Sequence, residues 1–213
     1  MHELMKKTVF CFVAALTLMV TAFAQTPEEI IKKMDQAFAP AETEGLAMTL
    51  DLKIPIVGTS TTYVYTIGKK ERSETTIMKH KIITFMDEDT IWEYNTVSNE
   101  IKIKDALHIE SAGGSEADLF SGILEGYDVT LKEETDDEWH LLCKKSKNNT
   151  EKEDPSKMDL VVSKTTNLPV SLKTKASGVT IVMHDIKIGI DEKFVTFDPA
   201  DYPDAKIVDE RKK

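Results

Sequence analysis

Residues 46–56 read Leu-Ala-Met-Thr-Leu-Asp-Leu-Lys-Ile-Pro-Ile, so apolar side chains alternate with mostly polar ones over eleven positions. Successive side chains of a β-strand point to opposite faces, and this pattern therefore predicts a strand with one buried face. The same alternation recurs at Tyr63/Tyr65/Ile67, Ile83/Phe85, Trp92/Tyr94, Ile101/Ile103, Tyr127/Val129/Leu131, Trp139/Leu141/Cys143, Met158/Leu160/Val162, Leu168/Val170/Leu172, Val179/Ile181/Met183 and Ile186/Ile188/Ile190. Short turns separate these segments, which is typical of antiparallel pairing. The sequence predicts a mainly β fold, an antiparallel meander of about eleven strands.

Two amphipathic helices are predicted beside these strands. The first opens with Thr-Pro-Glu-Glu at residues 26–29, which fits a capping box with proline at the first helical position. Its apolar stripe comprises Ile30, Ile31, Met34, Ala37 and Phe38. The second helix is predicted from a cap at Ser115 to Gly126. Its stripe comprises Leu119, Phe120, Ile123 and Leu124.

Residues 1–24 have the three parts of a secretory signal peptide. Lys6 and Lys7 precede an apolar run from Thr8 to Val20, and small residues at positions 22 and 24 fit signal peptidase cleavage before Gln25. The alternative, a retained membrane anchor, is disfavoured because the apolar run is shorter than the roughly 20 residues that span a bilayer. The predicted product is a single domain, residues 25–213, in the periplasm.

Composition and motifs argue against nucleic-acid binding and catalysis. The chain has 27 Lys+Arg, 37 Asp+Glu and a net charge of −10, whereas phosphate recognition needs clustered basic residues. His80, His108, His140 and His184 are isolated from one another, and Ser121-Gly122 lacks the preceding glycine of a nucleophile elbow. Cys143 alternates with apolar residues, as a buried thiol does. The sequence predicts a non-enzymatic protein without metal or cofactor.

The apolar faces of so many strands leave two architectures open. Two stacked sheets would bury them completely, whereas one curled sheet with two short helices in its mouth would leave an apolar cavity. For the cavity, the predicted wall consists of Leu50, Leu52, Phe85, Trp92, Tyr94, Ile101 and Ile103. The predicted lid consists of Ile30, Met34, Phe38, Leu119 and Ile123. For each of these residues the alternative is ordinary core packing.

Three local motifs resemble the LolA-type outer-membrane lipoprotein carriers, best matched among versions from Bacteroidetes-like bacteria. They are the opening helix from Ala24 to Phe38, the strand Thr90–Asn95 with its Trp and Tyr two apart, and the ending at residues 197–211, Phe-Asp-Pro-Ala-Asp-Tyr-Pro-Asp-Ala-Lys-Ile-Val-Asp-Glu-Arg. The resemblance implies an incomplete antiparallel β-barrel with a helical lid. It also implies acylated lipoproteins or other lipids as ligands, with an inner-membrane transporter as donor and an outer-membrane acceptor.

The chain departs from that family at two points. The proteobacterial carriers have an arginine on an early strand that holds the lid shut, and residues 46–56 contain none. They also have a longer C-terminal extension than this chain, which stops at Lys213.

The predicted function is that of a monomeric periplasmic carrier or chaperone, which shuttles lipoprotein acyl chains toward the outer membrane without stable membrane insertion. A first alternative is a lipid-sensing regulatory module of the envelope on the same fold. A second is an enzyme such as an esterase, which a serine-directed covalent probe would label. A carrier exchanges cargo with a transporter, whereas a sensor holds one stable regulatory protein.

Overall fold

The computed structural model describes residues 25–77, 80–106, 120, 122–152 and 154–211. Within them the strands are β1 (Leu46–Ile54), β2 (Gly58–Ile67), β3 (Lys70–Ile77), β4 (His80–Met86), β5 (Thr90–Asn95), β6 (Glu100–Asp105), β7 (Tyr127–Glu134), β8 (Glu138–Lys145), β9 (Lys157–Ser163), β10 (Pro169–Ala176), β11 (Val179–Ile188) and β12 (Lys206–Asp209). The helices are α1 (Pro27–Phe38), α2 (Ala41–Glu44), α3 (Ile123–Gly126) and α4 (Glu192–Val195), followed by a 3-10 turn at Pro199–Asp201. No helix among these residues is long and apolar enough to cross a membrane.

All twelve strands form one sheet in the order β12-β6-β5-β4-β3-β2-β1-β11-β10-β9-β8-β7. Every neighbouring pair is antiparallel except β12 and β6, which run parallel. The sheet is open, because β12 and β7 lie at its two edges and do not pair with each other. The predicted mainly β, incomplete antiparallel architecture is confirmed.

Two details differ from the sequence-based expectation. The first strand ends at Ile54 rather than Ile56, because residues 55–57 form the turn to β2. Proline at position 55 has no N–H for a ladder hydrogen bond, so it suits that turn. The C-terminal strand β12 was not predicted: its four residues carry no alternation long enough to recognise.

Helix α1 begins as the capping box predicts. The Glu29 backbone N–H donates to Thr26 Oγ1 at 3.2 Å, and the Thr26 N–H donates to Glu29 Oε2 at 3.1 Å. The apolar stripe of α1 is buried, with Ile30, Ile31 and Met34 fully inaccessible to solvent. Of the second predicted helix, residues 115–119 and 121 lie outside the described residues, and α3 corresponds to its last turn.

The two faces of the sheet have different covers. Residues opposite each other on neighbouring strands point to the same face. One row runs across Leu50, Met183, Leu172, Leu160 and Leu141, and we call its side the helix face, because these residues share one apolar cluster with α1. A second row lies on the opposite side and runs across Tyr65, Arg72, Phe85, Trp92 and Ile103. We call that side the C-terminal face, because residues 194–202 pack against it.

Gly45 joins α2 to β1 at a position that only glycine fits. Its φ is +84°, and a Cβ there would overlap the Ile190 side chain and lie 2.8 Å from the Thr66 carbonyl oxygen. We expect Gly45→Ala to destabilise the protein by about 1–2 kcal/mol for the left-handed backbone plus at least as much again for the overlap. Gly178→Ala is the control, since Gly178 has φ +83° and a Cβ added to it would have no atom within 4 Å. Chemical denaturation of both variants measures the difference, and equal losses would contradict the packing argument.

Candidate functional site

The helix face is covered by the apolar stripe of α1. Phe38 of α1 lies against Phe120, with ring centroids 5.1 Å apart. The buried cluster beneath the helix joins Leu46 and Met48 of β1 to Trp139, Leu141 and Cys143 of β8, and extends through β9, β10 and β11. These side chains are all apolar, so the surface under α1 attracts hydrocarbon without directional contacts.

Among the described residues, no hydrogen bond or ion pair holds helix α1 on the sheet. The hydrogen bonds of Thr26, Glu29 and Asp35 stay within the helix and its caps, and none joins α1 to the sheet. Its charged side chains Glu28, Lys32 and Lys33 are exposed and take part in no ion pair with another described element. Burial of the apolar stripe is therefore what holds α1 on the sheet.

Asp35 of α1 weakens this packing, because its carboxyl group is partly buried together with the apolar stripe. Its Oδ1 atom has no hydrogen-bond partner among the described residues, and burial raises the pKa of the carboxyl group above its usual value. A carboxylate removed from water without a partner is destabilised in its charged form. Docking of α1 is consequently weaker at neutral pH than it would be with an uncharged side chain at this position.

The structure separates the predicted wall residues into two groups. Leu50 packs against the cluster under α1, and Leu52 lies on the same face opposite Ile181. The other five lie on the C-terminal face, where cross-strand pairing aligns them: Phe85, Trp92, Tyr94, Ile101 and Ile103. The seven residues therefore do not line one surface.

The predicted lid residues stay together. Ile30, Met34, Phe38 and Ile123 belong to one buried cluster, whereas Leu119 falls outside the described residues. The helix face under α1, with Leu50 and Leu52 at its margin, is the candidate site.

The aromatic residues of the C-terminal face are covered by the chain after β11. Trp92 and Phe197 stack with their ring centroids 5.2 Å apart and their planes 14° apart. Tyr202 contacts Phe85 at 6.4 Å and Tyr94 at 4.7 Å between ring centroids. These contacts explain the ending Phe-Asp-Pro-Ala-Asp-Tyr-Pro: its two rings fasten the C-terminal segment to β4 and β5.

Arg72 fixes the same segment and was not singled out from the sequence. Its guanidinium lies over the rings of Phe85 and Phe194, 5.3 and 4.4 Å from their centroids, and pairs with Glu74. A cavity of about 270 Å³ opens beside it between β3, β4 and α4.

Because Arg72 is on the C-terminal face, it does not replace the lid-holding arginine that the resemblance implied. Arginine is rare in this sequence, since the chain has only two, at positions 72 and 211, and this rarity could have drawn attention to Arg72.

Cys143 and His184 are residue types that often react in enzymes, and here each contacts structural neighbours. Cys143 is fully buried, and desolvation raises its pKa to about 12, so the thiol is protonated at neutral pH. His184 lies 2.9 Å from Asp185 Oδ2 and 3.4 Å from Asp51 Oδ2, bridging β11 to β1. In the ranges that the structure describes, no group of three or more His, Cys, Asp or Glu could hold a metal ion.

Comparison with known proteins finds structural matches and no sequence match. No protein-family model matches the chain, and neither does any curated protein. An uncharacterised conserved protein from Thermus thermophilus matches with a TM-score of 0.46 and 17% identity, over 86% of this chain and 98% of that one. A LolA superfamily protein from Nitrosomonas europaea matches with a TM-score of 0.32 and 15% identity, over 82% and 99%.

A third solved structure also matches. It is a putative outer membrane lipoprotein-sorting protein domain from Vibrio parahaemolyticus, with a TM-score of 0.35 and 12% identity, over 80% of this chain and 97% of that one. The likeness lies in the fold, so what the protein binds must be argued from its own contacts.

The stacked pair on the C-terminal face is open to a double-mutant test. We expect Trp92→Ala and Phe197→Ala to be coupled by about 0.5–1.5 kcal/mol, the range for aromatic pairs. The free energy of unfolding of the two single variants and the double variant gives the coupling. Strictly additive losses would show that the C-terminal segment does not depend on this contact.

Proposed function

We propose that the protein binds the acyl chains of lipoproteins or other lipids on its helix face and carries them through the periplasm. The observation that supports this most directly is the packing of α1: an apolar stripe lies on an apolar surface without a hydrogen bond or ion pair to the sheet among the described residues. A cover held in this way can be exchanged for another apolar group. We call α1 the lid.

Replacing the apolar stripe of α1 by an acyl chain costs little free energy, because the apolar surface of the sheet stays buried. Opening the lid without a ligand would expose four large apolar side chains of α1, at about 1.5–3 kcal/mol each, so the empty protein stays closed. An acyl chain that takes the place of the stripe returns about 0.8 kcal/mol for each buried CH₂. Several methylenes therefore balance the loss of one lid residue, and a full lipid chain makes the open state competitive.

The lining of the helix face supports hydrocarbon as the ligand. The row Leu50, Met183, Leu172, Leu160 and Leu141 has no hydrogen-bonding side chain. Such a surface recognises apolar area rather than a particular head group. Methionines such as Met34, Met48 and Met183 adapt to chains of different shape, because the thioether side chain is unbranched.

Asp35 shifts the equilibrium between the closed and the open lid toward the open state. The desolvated carboxylate regains water when α1 leaves the sheet, so the charge favours the open, ligand-bound state at neutral pH. Protonation favours the closed state, because the pKa of Asp35 is raised in the closed protein. Stability of the closed state should thus increase as the pH falls through that raised pKa.

We expect Asp35→Asn to raise the melting temperature at pH 7 and to weaken binding of a fluorescent fatty acid. The amide removes the charged, desolvated group, so the closed lid competes more strongly with the acyl chain. The gain in melting temperature should shrink as the pH is lowered, because the wild-type carboxyl then becomes protonated. Thermal unfolding and fatty-acid titration of both proteins over a pH series measure these effects.

Glu28→Gln is the matched control, since Glu28 is an exposed carboxylate on the same helix. It should leave fatty-acid affinity unchanged. A wild-type protein that binds no fatty acid would contradict the proposed function. Tighter binding by Asp35→Asn than by the wild type would contradict the lid mechanism.

A further inference from the structure

One end of the sheet carries the longer β8–β9 loop at one side and, next to it, four neighbouring hairpin turns. They connect β5 to β6, β3 to β4, β1 to β2 and β10 to β11, in the order in which these strands lie in the sheet. We call the described residues of these turns, 55–57, 77, 80, 96–99 and 177–178, the hairpin rim. Adjacent turns are about 10 Å apart, because two strand spacings separate them.

The hairpin rim exposes aliphatic side chains. Ile56 is fully exposed, and Val57, Ile77 and Val97 are exposed to 60%, 47% and 63%. These four make up half of the eight exposed large hydrophobic residues in the described part of the chain. Three successive hairpins therefore each present an aliphatic side chain on the same side of the molecule. Clustered apolar exposure of this kind marks an interaction surface.

Ile56 also has an unfavourable backbone conformation. Its φ is +71°, in the left-handed region that β-branched residues avoid. Gly or Asn would fit this turn with less strain and without an exposed apolar group. An isoleucine that is both strained and fully exposed contributes nothing to the stability of the fold, which points to a use outside it.

The hairpin rim itself is basic, whereas its margins are mixed: Asp204 lies beside Asn99, and the β8–β9 loop carries Lys147 and Lys152 against Glu151 and Asp154. The described residues of segments 53–60, 76–81, 96–99 and 175–180 contain three lysines, one histidine and no acidic residue, although the chain as a whole has a net charge of −10. Of these lysines, Lys81 pairs with Glu74 at 2.5 Å, while Lys53 and Lys175 have no acidic partner among the described residues. The turns at the other end of the sheet are acidic on balance: Asp87, Glu88 and Asp89 lie in one and Asp136 and Asp137 in another, against Lys69 and Lys164 in the remaining two.

We propose that the hairpin rim docks on the surface of an anionic membrane, with the aliphatic tips in the interface and the lysines against lipid phosphates. Apolar side chains flanked by lysine are the combination that binds such interfaces, at about 1 kcal/mol for each basic residue. The acidic far end is repelled by the same surface, so the charge distribution orients the molecule rim first. Docking is peripheral and reversible, because each turn contributes only one or two side chains. It does not depend on acyl binding by the helix face.

The test uses the mature protein, purified after export, in flotation with vesicles of phosphatidylglycerol and phosphatidylethanolamine. We expect binding to these vesicles, little binding to pure phosphatidylcholine vesicles, and loss of binding as salt is raised. Ile56→Asn should reduce the affinity about tenfold, since an apolar side chain no longer enters the interface. The same variant should be at least as thermally stable as the wild type, because asparagine tolerates the left-handed backbone.

A matched pair of isoleucines separates the rim from general surface hydrophobicity. Ile77→Ser should weaken vesicle binding, whereas Ile207→Ser should not, although Ile207 on β12 is exposed to a similar 54%. Equal binding by wild type and Ile56→Asn would overturn the proposal, as would equal binding to anionic and neutral vesicles. Fatty-acid binding in solution should be the same in all three variants, so a failure here is distinguishable from a failure of the acyl-binding proposal.

Discussion

The apolar surface formed by β1, β11, β10, β9 and β8 has to be covered, and in the described structure one twelve-residue helix supplies much of the cover. Everything about the candidate site depends on this arrangement. The helix packs through Ile30, Ile31, Met34 and Phe38, and the Oδ1 atom of Asp35 is buried without a partner among the described residues. The contact is therefore large in apolar area and has few directional interactions, which is what the proposed exchange of α1 for an acyl chain requires.

The opposite face of the sheet is built in a different way. There the C-terminal segment is fastened by stacked rings, by the guanidinium of Arg72, and by hydrogen bonds such as that from Asn99 Nδ2 to the Asp204 carbonyl oxygen at 2.8 Å. Directional contacts of several kinds specify one arrangement, whereas apolar burial alone tolerates exchange. The two faces thus differ: directional contacts fix residues 194–204 on the sheet, whereas α1 is held by apolar burial and is the element that we propose leaves it.

Most of the fold could be predicted from local sequence patterns. The two-residue alternation identified the strands, and the capping box at Thr26 identified α1 with its buried stripe, because both signals arise from neighbouring residues. The grouping of the wall residues could not be predicted in the same way. Alternation shows which side chains of one strand share a face, but only the register between strands shows whether Leu50 and Trp92 share it, and pairing places them on opposite faces. The exposed Ile56 was missed for a related reason: its apolar side chain continued the alternation of β1, although Pro55 had already ended the strand.

The central claim is that acyl chains displace α1 from the helix face. Amide hydrogen exchange of residues 25–213, with and without a diacylated lipopeptide, measures this directly. The account predicts faster exchange of the α1 amides, residues 27–38, when the lipopeptide is bound, while β1 and β11 stay protected and the C-terminal segment is unchanged. Binding of the lipopeptide with unchanged or slower exchange in α1 would contradict the displacement of the lid.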